Sequence, residues 1–489
     1  GRARSFSYER SLRPCLALAH RGQSTRIILI RPLSRRRFLG GAAAAALGGA
    51  GVYELVDRLS PAPNRRVAEP AGMPAEQHVI DLGTVESEGV EVVVPPLHSE
   101  VVTATLDVSK LRDAQQELEE ALRALDARFA LNPAGLAVTV AWGLPYFERY
   151  VPAQAKLHLP HDRRAGKPAL LPTRTFPSDP EATLLEQNDV AVLLRSDRLE
   201  HIDAARKALF DDLSLFRMTS IRRGFAGGGF HGGQSLPQKM AVAAGVPGAD
   251  LIPEGSELFL GFTSTQKAGL GPRLIANHET LGYVDLGSGY FRNGTHMHLS
   301  HLTEDLEAWY LNFDFDERVL TAFRPGMTQV RQGTQTVAQG PKDVSSVELL
   351  ERQFKETGRF GHSASIQATS RMQQDTVGDD GTVYPKGTAV PQRADFNTLD
   401  NPFAWTVDPK RDQWSDQPVA GVHFVVFNPS SDDFDRNRLA MDGVLPDGTR
   451  LSVPPRTRAQ GFNSILTTTH RQNFLVPPRR HRSFPLAEL

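Results

Sequence analysis

Cysteine is almost missing from this sequence of 489 residues, which holds one, Cys15. It lies upstream of a segment with the plan of an export signal. The chain behind that signal can therefore form no disulfide and offers no thiolate, which removes zinc-finger and iron–sulfur readings. A net charge is missing too, with 55 Lys and Arg against 56 Asp and Glu. No global field then draws in nucleic acid or an anionic membrane. Past the signal, no stretch approaches the ~18 consecutive apolar residues that span a bilayer. Serine hydrolysis lacks a Gly-x-Ser-x-Gly elbow. FAGGGFHGGQ (225–234) has no lysine and no strand-to-helix context, so it is not a nucleotide cradle.

What is present begins with SRRRFLGGAAAAALGGAGV (34–52), a basic start, a short weakly apolar run and small residues suited to cleavage. Ser34, Arg35, Arg36, Phe38 and Leu39 resemble the twin-arginine pattern Ser-Arg-Arg-x-Phe-Leu. Residues 1–33 carry no initiating Met and read as an extended start, so 1–52 is expected to be an N-terminal extension and signal peptide. The expected destination is the periplasm or the outside of the cell. Pro61, Pro63, Pro70 and Pro74 mark 53–78 as a linker with little propensity to pack.

Leu111, Leu118, Leu122, Leu125 and Phe129 fall at helical spacings, and LAVTVAW (136–142) follows as a strand. NDVAVLLRSDRLEHIDAARKALF (188–210) reads as strand then helix, and LFRMTSIRRGF (215–225) as a returning strand. Late in the chain GVHFVVF (421–427) precedes a helix that Ser430 or Ser431 can cap, with Asp432 and Asp433 at its positive start. Two such modules predict an α+β chain of two similar halves, 79–270 and 271–489, each a mostly antiparallel sheet with helices on one face. The segments 225–234 and 371–400 read as long loops, and the basic, proline-containing C-terminus reads as a solvated tail.

Two histidine-bearing segments stand out. GRFGHSASIQATSR (358–371) suggests a strand by its alternation, and its His362 is either a satisfied core residue or a metal ligand. In THMHLSH (295–301), His296 and His298 share one face of a strand, and His301 joins them only if the strand bends. Such a trio suits zinc or copper. Against that, Met297 and Leu299 look like core residues.

Taken in order, several segments resemble the dye-decolorising (DyP-type) peroxidase superfamily of haem proteins. They are LAVTVAWGLPYF (136–147), NDVAVLLRSD with the helix and IRRGF after it, LFLGFTSTQKAG (258–269), HLTEDLEAWYLNFDFDERVLTAFRPG (301–326) and GVHFVVFNPSSDDFDRNRLAM (421–441). The resemblance implies two ferredoxin-like halves of the dimeric α/β-barrel type and a haem b cofactor (iron protoporphyrin IX). His362 would be the axial iron ligand, with Phe262 and Arg393 against the cofactor. Hydrogen peroxide and an unidentified electron donor are the implied partners, with a homo-oligomer allowed.

A haem peroxidase also needs a group that moves a proton between the peroxide oxygens and a cation that stabilises charge. In the family an Asp and an Arg do this. Here Gly261-Phe262-Thr263-Ser264-Thr265 stands at the Gly-Phe-x-Asp-Gly motif, with Ser264 in place of the carboxylate. Leu399 stands where the Arg before Asp-Asn-x-Pro-Phe is expected. Arg393 is the nearby substitute for the cation, and Asp395 or Asp400 for the acid. The alternative is a haem- or metal-binding protein on the same fold without turnover.

Overall fold

Ala114, Leu118, Leu122 and Leu125 return every three or four residues and are buried, so Leu111–Arg128 forms an amphipathic helix, α1, held against a sheet. In the computed structural model of the protein, the residues described are 53–59, 72–226 without 81, 83, 88 and 89, 236–261 without 255 and 257, 283–323 without 287, 328–339 without 333 and 334, 345–400 without 378–380 and 382, and 418–489. The signal pattern, Phe262, Ser264 and the expected boundary near Leu270 lie outside these residues.

The first module runs β1 (His98–Leu106), α1, β2 (Ala137–Gly143), β3 (Val190–Ser196), α2 (Leu199–Arg206) and β4 (Phe216–Phe225). Its strands lie in the order β4–β1–β3–β2, each pair antiparallel. Every residue of β2 and β3 is buried, because these strands have helices on one face and a packed interior on the other. The second module uses β5 (Thr295–Glu304), β6 (Phe396–Thr398), β7 (Gly421–Asn428) and β8 (Leu466–Val476). Their order, β8–β5–β7–β6, repeats that of the first half and is again antiparallel. The chain is therefore α+β, with two ferredoxin-like halves.

The two sheets meet at both edges. Phe474 and Leu475 of β8 pair with Gly143 and Trp142 of β2, and Asn397 of β6 pairs with Phe225 of β4. The described strands thus close a ring with no long free edge among them. Its lumen is filled by Val101, Leu193, Met297, Leu299, Val425, Phe427 and Phe474, all buried. Helices α1 and α2 cover the outer face of the first half. On the second half the chain between β5 and β6 supplies α3 (Leu306–Leu311) and α4 (His362–Ser370), and α5 (Ser431–Met441) follows β7.

Three expectations are overturned. Residues 53–78, read as a linker, pack at both ends. Tyr53 and Val56 join a core cluster, and the Gln77 amide donates to the carbonyls of Val140 and Pro477 while accepting from the Val140 amide. Gln77 thereby supplies the backbone partners that β2 and β8 lack beyond their short pairing. The solvated tail is buried as well. Trp142 Nε1 donates to Arg482 O and Tyr146 OH to Pro485 O, both at 2.9 Å. Arg482 pairs with Glu119 and Asp126, so its charge is met inside rather than by water. Finally, 362–370 is a helix and not a strand. The amides of Ser365 and Arg371 donate to the carbonyls of Gly361 and Gln367, four residues back, and Ala364, Ser365, Thr369 and Ser370 are its buried residues. No helix among the described residues is long and apolar enough to cross a membrane.

Candidate functional site

Strand β5 has two destinations for its side chains. Met297, Leu299 and His301 alternate into the lumen, whereas Ser300, Leu302 and Glu304 project from the outer face. The neighbouring strand does the same, with His423, Val425 and Phe427 inward and Val422, Phe424 and Val426 outward. Against these outer faces, α4 and α5 leave a cavity of about 380 Å³. That is within the usual range for a ligand pocket, ~300–1,000 Å³.

His362 is the first residue of α4, after Gly361 at the N-cap. Its ring lies 4.5 Å from that of Phe462, centroid to centroid, and it lines the cavity. Gly461 holds the backbone there with φ +56°; a Cβ on it would sit 2.9 Å from His362 N. Burial, and then the charges of Arg393 and Arg438, push the imidazole down to about 4. It is neutral at neutral pH, the form that ligates metal. Its Nδ1 is buried without a hydrogen-bond partner, and no hydrogen bond reaches either ring nitrogen among the described residues.

Among the described residues four arginines reach the same cavity: Arg371, Arg393, Arg438 and Arg471. Arg438 donates to Ser178 Oγ and is bridged to Asp442, while Arg471 pairs with Asp179 at 2.8 Å. Arg371 donates to the Gly387 carbonyl at 2.9 Å. Burial lowers Arg371 from its ordinary range, with Arg393 adding to the effect, and lowers Arg471 to about 10. Among the described residues Asp395 and Glu304 are the carboxyl groups on the wall. Burial, and then the charge of Asp395, push Glu304 up to about 8. Glu304 and His362 both keep some accessible surface while lying under many protein atoms, because that surface faces the cavity.

Of the site residues expected from the sequence, His362, Arg393 and Asp395 are brought to one cavity. Asp400 is not on its wall; it accepts from Tyr53 OH and from the Arg223 amide, tying the N-terminal helix Glu54–Leu59 to the barrel. Ser363 lines the cavity, and Ser365 turns inward to its own helix. The trio His296, His298 and His301 does not converge. His298 is held by Asn473 Oδ1 at Nδ1 and Ser300 Oγ at Nε2, and it stacks on Phe434. His301 faces the lumen, 5.0 Å from the His423 ring. Among the described residues no group of three or more His, Cys, Asp or Glu side chains is placed to hold a metal ion.

Sequence reasoning missed Glu304, Arg371, Arg438 and Arg471. Glu304 had a signal: it stands two and four residues after Leu302 and Ser300, in the face of β5 opposite the core residues Met297 and Leu299. The arginines had none, since they come from separate elements that only the fold gathers.

These residues fit a haem. The cavity combines a neutral imidazole with a nitrogen unpartnered among the described residues, an apolar wall from Leu302, Val422, Phe424 and Ile366, and cations suited to carboxylate substituents. No protein with curated annotation matches the chain. Among solved structures it is similar to a putative DyP-type peroxidase from Shewanella oneidensis, with 12% identity, 84% of this chain and 98% of that chain covered, and a TM-score of 0.49. It is similar also to a DypB variant from Rhodococcus jostii in complex with heme, with 13% identity, coverage of 80% and 95%, and a TM-score of 0.45. The encapsulated DyP-type peroxidase from Mycobacterium smegmatis has 12% identity, coverage of 80% and 95%, and a TM-score of 0.44. Likenesses at this level assign no residue a role. Residues 96–478 match the family model described as a family of unknown function (DUF7405), and the chain belongs to that family.

Proposed function

We propose that this protein binds haem b in the cavity of its second half, with His362 as the axial ligand of the iron, and uses hydrogen peroxide to oxidise an electron donor. The observation that carries the reading is His362 itself: a neutral imidazole opening on a ligand-sized cavity, with a buried nitrogen that no group among the described residues satisfies. The ordered motif resemblance to dye-decolorising peroxidases supports it. Haem, when bound, supplies the electrons that reduce peroxide and passes the resulting oxidising power to a donor.

The chain's own groups have definable parts in this. Helix α4 and Gly461 set the height of the His362 ring. Leu302, Phe424 and Ile366 line the cavity with apolar side chains that would keep water from a bound haem and so strengthen the fixed charges around it. Arg371, Arg393, Arg438 and Arg471 are the cations on the wall that would meet carboxylate substituents or a developing negative charge, Arg438 and Arg471 being also paired with Asp442 and Asp179. Export by the twin-arginine route belongs to the same reading and rests on the Ser34–Leu39 pattern.

The test is an optical spectrum of the protein purified with haem available. A Soret band that shifts with cyanide, and that His362→Ala removes while the fold persists, is the expected result. A protein that takes up no haem would sink the reading. A Soret band without peroxide-dependent dye oxidation would instead favour a haem carrier, the reading that the serine at position 264 favours.

A further inference from the structure

The motif carboxylate that the resemblance leads one to expect is a serine here, Ser264, yet the cavity wall is not without acids. We propose that Glu304 holds the exchangeable proton of this cavity and delivers it to an oxygen atom of the bound ligand, with Asp395 as the second carboxyl of the pair. The assignment rests on the haem and peroxide reading above for the identity of that ligand.

Glu304 is the last residue of β5 and the third of its cavity-facing positions, so the strand fixes its Cα as firmly as those of Ser300 and Leu302. Its amide donates to Ala420 O at 2.9 Å, which pins the strand end. Its Oε2 is buried with no hydrogen-bond partner, and no ion pair to it exists among the described residues. An ionised carboxylate in that setting is costly; a protonated one has a hydrogen to give to whatever enters.

The surrounding charges agree. From the segment beside β7 come Arg393 and Asp395, from α4 and its end His362 and Arg371, from α5 Arg438, and from α3 Tyr310. The phenol of Tyr310 donates to Phe259 O at 2.6 Å and so is spoken for. His362 is neutral, and Arg371 and Arg438 are engaged elsewhere. Asp395 is the neighbour whose charge acts directly on Glu304, and it acts to keep the proton there.

In the transfer, the O–H bond of Glu304 breaks as an O–H bond forms on the ligand oxygen. The bonding electrons stay on the carboxylate, and no electron crosses to the ligand. Repulsion from Asp395 then favours return of a proton to Glu304, so the group can act repeatedly. Proton transfer by one positioned side chain is worth about 10²–10⁴-fold in rate.

Two readouts separate the proposal from the reading it rests on. In haem-free protein, infrared difference spectra at neutral pH are expected to show a protonated-carboxyl band that Glu304→Gln removes and that fades as pH rises through about 8. In Asp395→Asn the fading moves to lower pH. In haem-loaded protein, Glu304→Gln is expected to keep the wild-type Soret band while reacting with peroxide at least about 10²-fold more slowly. A carboxyl band untouched by Glu304→Gln, or a variant reacting as fast as wild type, overturns the proposal. Wild-type protein with the carboxyl band and no Soret band supports the proton on Glu304 and overturns the haem reading alone.

Discussion

Replacing Glu304 with Gln should make the protein more stable above mildly acid pH, and the size of the gain follows from where the carboxyl sits. Its ordinary value is 4.5 and burial, with Asp395, raises it to about 8 in the fold. A group raised on folding contributes stability that is fully present below the unfolded value and is lost as pH climbs through the folded one. The difference of 3.5, at about 1.4 kcal/mol per tenfold, gives a loss on the order of 5 kcal/mol above the folded value. About 3 kcal/mol of this is already lost at neutral pH. Glutamine keeps the shape and has no proton to lose, so its stability stays level across the window. Urea unfolding of both proteins from about pH 5 to 9 reads the difference directly. The curves should coincide near the acid end and separate steadily toward pH 8, with the variant above. Parallel curves at all pH values would refute the reasoning, since they would mean that Glu304 titrates as it does in the unfolded chain.

His362→Ala should abolish haem uptake yet leave the far-ultraviolet circular dichroism intact, since α4 is held by Ala364, Ser365 and Thr369 rather than by the imidazole. Gly461→Ala should cost about 1–3 kcal/mol, because φ is +56° there and the new Cβ would press on the His362 backbone at 2.9 Å; thermal unfolding reads the cost, and weaker haem affinity should accompany it. Ending the chain before Arg482 removes buried Phe484 and Leu486 and the acceptors of Trp142 and Tyr146. A loss of at least about 3–5 kcal/mol in chemical denaturation is expected, and an unchanged midpoint would contradict the packing of this segment. Gln77→Ala should loosen the seam between β2 and β8 by roughly 1–3 kcal/mol, seen as faster hydrogen exchange at Val140.

Periodicity made the regular elements legible. The stripe of α1, the runs of β2, β3, β4 and β7 and the helix after Ser430 all stand where spacing and capping residues put them. It failed where small residues carry no strong period. The stretch 362–370 looks like a strand by its alternation, and packing on α5, which the sequence does not show, accompanies its helical backbone bonding. It failed again at the C-terminus, where basic residues look solvated but Arg482 finds Glu119 and Asp126 on α1.

By itself the sequence determined the near-absence of thiol chemistry, the balance of charge, the duplicated arrangement of strands and helices, and His362, Arg393 and Asp395 as residues to watch. The first three follow from composition and from contacts between residues close along the chain, whereas the three residues were picked out by the resemblance of the ordered motifs to dye-decolorising peroxidases. Tertiary structure alone decided that these three meet in one cavity with Glu304, that His301 turns away from His296 and His298, and that Gln77 closes a seam. Each depends on which face of a strand meets which helix, and residues separated by tens to hundreds of positions come together only when the ring of strands has closed.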